Sequence, residues 1–438
     1  MSEWNGRRLH FVGIGGVGMS GLALIAHTLG AEVSGSDELD TPYMAPLRAV
    51  GIEPAIGYAA ANVPTGAQVV YSSAVRPENP ERGEGELHRS QLLAQMARLK
   101  RCIAVAGTHG KTTTTSMIVH ALRGCGLDPA YVIGGALRST GLNAAWGSGD
   151  WIVIEADESD RSLLNYEPEI AVLTNAELDH HATYSSRLDV EETFRRFLAQ
   201  SRTAVVWDRP ELLAIAASSG VPEVVPYDAE APALTPAGAR LRWHGLDVEL
   251  AVPGLHNALN AAGALTVCEL AGADPAQAVA ALADFQGAKR RLELLGQTPA
   301  GVRVYDSYAH HPTEVAADIA GAHTLGAQRL VVVFQPHLFS RTRALAREFG
   351  AALATADLCA VLDVYKARER AEDFPGVTGH LIAAAAADAA GGRPVAWTPT
   401  LADARRWLDA TLRPGDLCLM MGAGNVDSLG RELVGAAC

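Results

Sequence analysis

Short apolar runs that suit buried strands recur along this chain, separated by longer apolar or amphipathic segments that suit helices. The series begins at Leu9–Val12, a strand followed by a glycine-rich turn, an apolar helix ending at Leu29 and a strand over Glu32–Ser36. Val69–Ser72 and Cys102–Ala106 read as further strands, and a helix is expected over Leu87–Leu99 after the loop "RPENPERGEGE". A boundary falls near residue 99. Beyond it come helix Thr112–Arg123 and strands Trp151–Glu155, Ile170–Asn175 and Ala204–Trp207. Residues 221–252 are rich in Pro and Ala with short alternating runs, which predicts an antiparallel flap, and a helix runs from His256 to about Ala271. After "QGAKRRLE" a last block alternates strands Val302–Asp306, Leu330–Phe334, Leu358–Val364, Val395–Trp397 and Leu417–Met421 with Ala-rich helices. Strands alternating with helices imply mostly parallel sheets covered on both faces. The expected fold class is α/β: an N-terminal Rossmann-like unit, a central unit with a mostly parallel sheet, and a C-terminal doubly wound unit.

Composition narrows the function. A chain of 438 residues exceeds one ordinary core, so roughly two to four domains are expected. The net charge of -13 argues against a nucleic-acid surface, so any bound anion must be held by local groups. The six cysteines form no CxxC pair, which suits reduced thiols rather than a zinc cluster or a disulfide framework. No apolar run approaches the ~20 residues of a membrane span. The basic pair and apolar stretch of "NGRRLHFVGIGGVGMSGLALIA" mimic a signal peptide, but the glycines break that pattern, and a cytoplasmic protein is expected.

The turn "AVAGTHGKTTTT" carries the strongest chemistry. It follows a strand and opens a helix, so its backbone N–H groups converge on one anion and the helix N-terminus adds partial positive charge. Gly107, Thr108, His109, Gly110, Lys111, Thr112 and Thr113 are therefore candidate ATP contacts, with Lys111 on the phosphates and the Thr112 hydroxyl on Mg²⁺. The chain has only four lysines against thirty-two arginines, so a lysine here is not background. The first turn spaces Gly13, Gly15 and Gly18 as GxGxxG, with Gly16 between and Asp37 one strand later. That pattern fits a dinucleotide or, beside a second nucleotide motif, a nucleotide-sugar diphosphate. "VIEADESD" places Glu155, Asp157, Glu158 and Asp160 at a strand end, where a hard cation would offset their charge. "TNAELDHH" brings Asn175, Asp179, His180 and His181, as metal or phosphate contacts or as ordinary loop residues. "PGLHNALNA" sets His256, Asn257 and Asn260 at a helix start, to read a purine or simply to cap. In the last block, Asp306, His310 and His311, then His337, Arg341 and Arg343, end adjacent strands where ligands bind.

Taken in order, GIGGVGMSG, AGTHGKTTT, EADESD, TNAELDH, GLHNALNA, GAKRR, DSYAHHPTEV and FQPHLFSRT resemble the Mur ligases of peptidoglycan synthesis along essentially the whole chain. The resemblance implies three domains: residues 1–98 for the UDP-sugar, 99–287 for ATP and 288–438 for the amino acid. It implies ATP-dependent amide formation, in which the lactoyl carboxylate of UDP-N-acetylmuramate attacks the γ-phosphate and L-alanine displaces phosphate from the acyl phosphate. Carried over by motif, Lys111, His180, His310 and Arg341 would be catalytic, and Thr112, Glu155 and His180 would hold Mg²⁺, with Mn²⁺ able to substitute. Arg291 and Asp306 would join the ATP contacts. Gly13, Gly15, Gly16, Gly18, Asp37, Ser72, Ser73 and Tyr308 would contact the substrates, and Lys289–Arg291 would mark a hinge. Ser307 stands where alanine-adding members often carry a second aspartate. Members that add later residues carry a carbamylated lysine beyond the DH motif. No lysine lies between Lys111 and Lys289, which fits the alanine-adding branch. The alternatives are a recycling member that takes a preformed tripeptide and an NAD-binding protein, and the latter leaves Lys111, Glu155 and "HHPTEV" unexplained. The expected partners are small molecules, with no nucleic acid and no membrane, for a monomer or homodimer.

Overall fold

The computed structural model describes residues 3–180, 183–235, 238–367 and 369–435. The chain divides into two compact units: residues 1–177, 186–228 and 261–282 form one, and 178–185, 229–260 and 283–438 form the other.

The first unit holds two sheets. One is five-stranded and parallel, in the order Ala55–Ile56, Glu32–Asp37, Arg8–Val12, Gln68–Tyr71, Leu87–His88. Arg8–Val12 sits at its centre with every residue after Arg8 buried, three of them apolar and the fourth His10. Helix Val17–Thr28 leaves the end of that strand through the glycine turn. The other sheet is seven-stranded, in the order Glu223–Tyr227, Thr203–Trp207, Ile170–Leu173, Arg101–Ala106, Trp151–Glu155, Ala130–Val132, Ala144–Ala145. Only its last pair is antiparallel. Arg101–Ala106 pairs with Ile170–Leu173 on one side and Trp151–Glu155 on the other, which brings the ends of three motif-bearing strands side by side.

The second unit holds a three-stranded antiparallel sheet, Glu230–Thr235, Gly238–Trp243 and Leu246–Leu250. It also holds a six-stranded sheet in the order Glu293–Gln297, Arg303–Ser307, Leu417–Met421, Leu330–Phe334, Leu358–Val361, Val395–Trp397. Its two faces bury separate apolar clusters, one including Phe334, Phe349 and Ile319 and the other Val304, Leu408 and Leu429, as a doubly wound sheet requires.

Two expectations are corrected. The flap over residues 221–252 is only partly antiparallel, since Glu223–Tyr227 extends the seven-stranded sheet in parallel. The expected helix Leu87–Leu99 is a short edge strand, Leu87–His88, followed by helix Arg89–Ala97. His88 ends the strand and caps the helix, its side chain accepting from Ser90 N–H.

Candidate active site

In the first unit the glycine turn is built by close packing. Gly13 adopts φ 79°, and the N–H groups of Gly13 and Ile14 both donate to Ser36 O, at 2.8 and 2.9 Å. The Gly15 N–H donates to Asp37 Oδ2 at 2.9 Å, so the acid after the second strand holds the turn itself. A Cβ on Gly15 would lie 2.7 Å from Met44 Cε, so packing alone already calls for glycine there. Gly16 is the N-cap of helix Val17–Thr28 and offers no side-chain cap, while its carbonyl accepts from the Met19 and Ser20 N–H groups at 3.0 and 2.9 Å.

This helix end opens on a cavity of about 420 Å³ whose lining includes Gly13, Gly16, Gly18, Asp37, Tyr58, Ser72, Arg89, Glu155 and Asp157. Gly15 and Ser73 are not in the lining. The Ser73 hydroxyl instead donates to Asp160 Oδ2 at 2.5 Å and meets His88 Nε2 at 3.0 Å.

The second turn follows strand Arg101–Ala106 and opens helix Lys111–Gly124. Gly107 (φ 132°) and Gly110 (φ 81°) take backbone conformations that side-chain-bearing residues disfavour. A Cβ on Gly107 would stand 2.1 Å from Thr174 Oγ1. Lys111 Nζ donates to Gly107 O at 2.6 Å and Thr108 O at 3.0 Å, and pairs with Glu158 at 2.8 Å. Burial works against its charge, but Glu158, then Asp157 and Glu155, hold the ammonium above its ordinary value. Thr112 Oγ1 donates to Glu155 Oε1 at 3.0 Å, while Glu155 Oε2 accepts from Gly134 N–H at 2.7 Å.

The carboxylates of "EADESD" thus have separate partners. Glu155 faces Thr112, Glu158 faces Lys111, Asp157 accepts from Arg89 Nη2 at 3.0 Å, and Asp160 accepts from Ser73. Asn175 buttresses the turn: its Oδ1 accepts from His109 N–H and its Nδ2 donates to His109 O, both at 2.9 Å. Thr174 Oγ1 adds a bond to His109 O at 2.6 Å. That bonding makes Asn175 a support of the loop.

In the second unit Arg341 and Asp179 form a buried bidentate pair at 2.9 and 3.0 Å. Burial opposes the Asp179 charge, yet Arg341 and then His180 hold its carboxyl well below the usual range. Arg341 Nη1 also lies 3.3 Å from His337 Nδ1. His180 takes a left-handed φ of 52° and its N–H donates to Asp179 Oδ1 at 2.6 Å. His310 Nδ1 lies 2.9 Å from Tyr308 O, and burial lowers its pKa to about 4, so the ring is neutral at pH 7. Tyr308 lies under the Arg290 and Arg291 guanidiniums, at 5.1 and 5.6 Å from its ring centre.

Buried Asp306 accepts from Arg290 Nε at 3.0 Å, and burial raises its pKa to about 6. Arg290 also reaches Gly424 O and Gly422 O, which fixes the basic cluster to the end of strand Leu417–Met421. Ser307 is fully buried, bonded to Asp318 and accepting from Ala309 N–H. Asn257 Nδ2 donates to Pro253 O at 2.6 Å and Asn260 Nδ2 to Asn257 Oδ1 at 3.3 Å, while His256 Nε2 lies 3.7 Å from Asp318 Oδ1.

The expected site residues therefore gather in two sets. Gly13–Gly18, Asp37, Ser72, the turn Gly107–Thr113 and Glu155 belong to the first unit. His180, His256, Asn257, Asn260, Arg291, Asp306, Tyr308, His310 and Arg341 belong to the second. Glu155 and His180, expected on one metal, fall in different units. His181 lies outside the described residues. Residues not foreseen in their observed roles are Arg89, Gly134 and Thr174. Gly134 had a signal in its pair of adjacent glycines, because a Cβ there would stand 2.8 Å from Glu155 Oε2.

Three family models match: "Mur ligase family, catalytic domain" over residues 8–101, "Mur ligase middle domain" over 105–268, and "Mur ligase, glutamate ligase domain" over 290–424. The UDP-N-acetylmuramate–L-alanine ligase of Renibacterium salmoninarum is 44% identical, covering 98% of this chain and 96% of its own length. Among solved structures, a UDP-N-acetylmuramate–alanine ligase from Thermotoga maritima superposes with TM-score 0.82 at 28% identity over 98% of both chains. A murein peptide ligase from Psychrobacter arcticus shares the fold with TM-score 0.72 at 23% identity over 98% of both chains. On the motifs, the sheets and these matches, the chain belongs to the Mur ligase family.

Proposed function

We propose that this chain is an ATP-dependent ligase that joins L-alanine to the lactoyl carboxylate of UDP-N-acetylmuramate. The observation that carries the reading is one cavity in the first unit. Its wall includes Gly13, Gly16 and Gly18 of the glycine turn and also Glu155, which is bonded to Thr112 of the phosphate-type loop. A diphosphate suits the helix end at Gly16, and a nucleoside triphosphate suits the turn Gly107–Thr112. The relatives' names supply the identity of sugar and amino acid.

In this reading residues 1–98 take the UDP-sugar, 99–287 take ATP and 288–438 bring the amino acid. A lactoyl carboxylate oxygen attacks the γ-phosphorus, the bond to ADP breaks, and an acyl phosphate forms. The alanine amine then adds to the acyl carbon, loses a proton and expels phosphate. Lys111 offsets charge on the transferring phosphoryl group. His310, being neutral, can accept a proton, and Arg341 is held rigid by Asp179.

A hydroxyl 3.0 Å from a carboxylate at the end of a phosphate-type loop is a donor set for a hard cation, so the residues fit Mg²⁺. Thr112 and Glu155 would hold it, with Mn²⁺ as substitute, and when bound it neutralises phosphate charge. Among the described residues no helix is long and apolar enough to cross a membrane. We place the reaction in the cytoplasm.

The deciding experiment is phosphate release with UDP-N-acetylmuramate and ATP, comparing L-alanine with the tripeptide. Release with L-alanine alone supports the reading. Release only with the tripeptide would make the chain a recycling ligase.

A further inference from the structure

The loop "RPENPERGEGE" has no part in the reaction as derived, yet it sends one carboxylate into the interior. Glu81 is 3% exposed. Its Oε2 meets Ser36 Oγ in a short hydrogen bond and His10 Nε2 at 3.2 Å. Its Oε1 accepts from Ala59 N–H at 2.9 Å and from Asn62 Nδ2 at 2.6 Å. Burial opposes the charge, but the bonds from Ser36, Ala59, Asn62 and His10 keep the carboxyl below its ordinary range.

These partners stand behind the cavity at the glycine turn. Ser36 O is the acceptor for the Gly13 and Ile14 N–H groups. Ala59 follows Tyr58, which lines the cavity, and Asn62 Nδ2 also donates to Gly57 O at 2.9 Å. The segment leading into the loop that carries Glu81 supplies Ser72, Ala74 and Val75 to the same wall, and Arg82 Nη1 of the loop ties back to Val75 O at 3.0 Å. Tyr58 Oη and Val75 Cγ2 flank Gly13, at 3.9 and 3.5 Å from where its Cβ would be.

We propose that Glu81 is a positioning residue for the UDP-sugar. Its single buried carboxylate sets three wall segments, the glycine turn, Tyr58 and Ser72–Val75, at one spacing. The proposal rests on the reading of this cavity as the UDP-sugar site. Preorganisation of this kind acts on the ligand that touches the wall and leaves a ligand held by other elements unaffected.

The test is Glu81→Gln, which keeps the volume but replaces one accepting oxygen with a donor. Affinities for UDP-N-acetylmuramate and for ATP are measured by calorimetry, and kcat at saturating substrates. UDP-sugar affinity is expected to weaken by about tenfold, with ATP affinity and kcat held within about twofold. Asn62→Ala removes one arm from a half-buried position and should give a smaller shift in the same direction; it decides the matter if Glu81→Gln fails to fold. Wild-type affinity for UDP-sugar in the folded variants, or equal loss of ATP affinity, overturns the role of Glu81 alone. Failure of the wild-type chain to bind UDP-sugar overturns the cavity reading and this proposal together.

Discussion

At the residue scale, charge pairing decides which groups do chemistry. Lys111 is held by two loop carbonyls and by Glu158, and its raised pKa keeps it cationic at any working pH. Lys111→Ala is expected to cut kcat by roughly 10²–10³ with the fold intact, because charge on the phosphoryl group loses its clamp. A variant with more than about half the wild-type rate would remove Lys111 from the proposed site. Glu155→Gln should raise the Mg²⁺ concentration needed for half-maximal rate, since a neutral amide is a poorer ligand for a hard cation. An unchanged Mg²⁺ titration would take Glu155 out of the metal set. The types of these residues were legible in the motifs. Their partners were not: four carboxylates in "EADESD" look alike on paper, and the fold gives them a hydroxyl, an ammonium, a guanidinium and a serine.

At the scale of elements, helix Pro312–His323 carries a buried acid against a neighbouring strand. Asp318 faces Ser307 of strand Arg303–Ser307, with His256, Glu314 and Arg291 around it, and burial raises its pKa to about 7. The folded state then holds a proton that the unfolded chain releases near pH 4, so stability falls as pH rises from that value to about 7. Asp318→Asn, which cannot ionise, should lack this loss. Its stability relative to wild type should be higher at pH 8 than at pH 5 by about 3 kcal/mol, read from urea unfolding at the two pH values. Equal differences at both would show that Asp318 stays ionised when folded.

Elements also show where pattern reading stops. Strands Leu330–Phe334, Val395–Trp397 and Leu417–Met421 lie where apolar runs predict them. Glu223–Tyr227 reads as part of the flap because its mostly exposed residues carry no sign of the partner it pairs with. The edge strand Glu293–Gln297 leaves no clear signal in the sequence, because it is short and leaves Leu294 45% exposed.

For the whole molecule, ligands that bind the folded state raise its melting temperature. Free ligand at about 100 times its Kd adds about 2.7 kcal/mol to the unit that binds it. ATP with Mg²⁺ and UDP-N-acetylmuramate should each raise the transition by several degrees, and NAD should leave it unchanged. A shift with NAD alone would reopen the dinucleotide reading of the first glycine turn. The sequence by itself determined the α/β class, both glycine turns and the family. These are local signals, carried by residue type and spacing within one strand and the turn after it. Only the tertiary structure decided that Asp37 closes its own glycine turn, that Asn175 supports the phosphate-type loop, and that Glu81 stands behind the cavity wall. Asn175 and His109 are separated by 66 residues, and Glu81 and His10 by 71. No pattern along the chain encodes such a contact, because the parallel pairing of distant strands brings those atoms together.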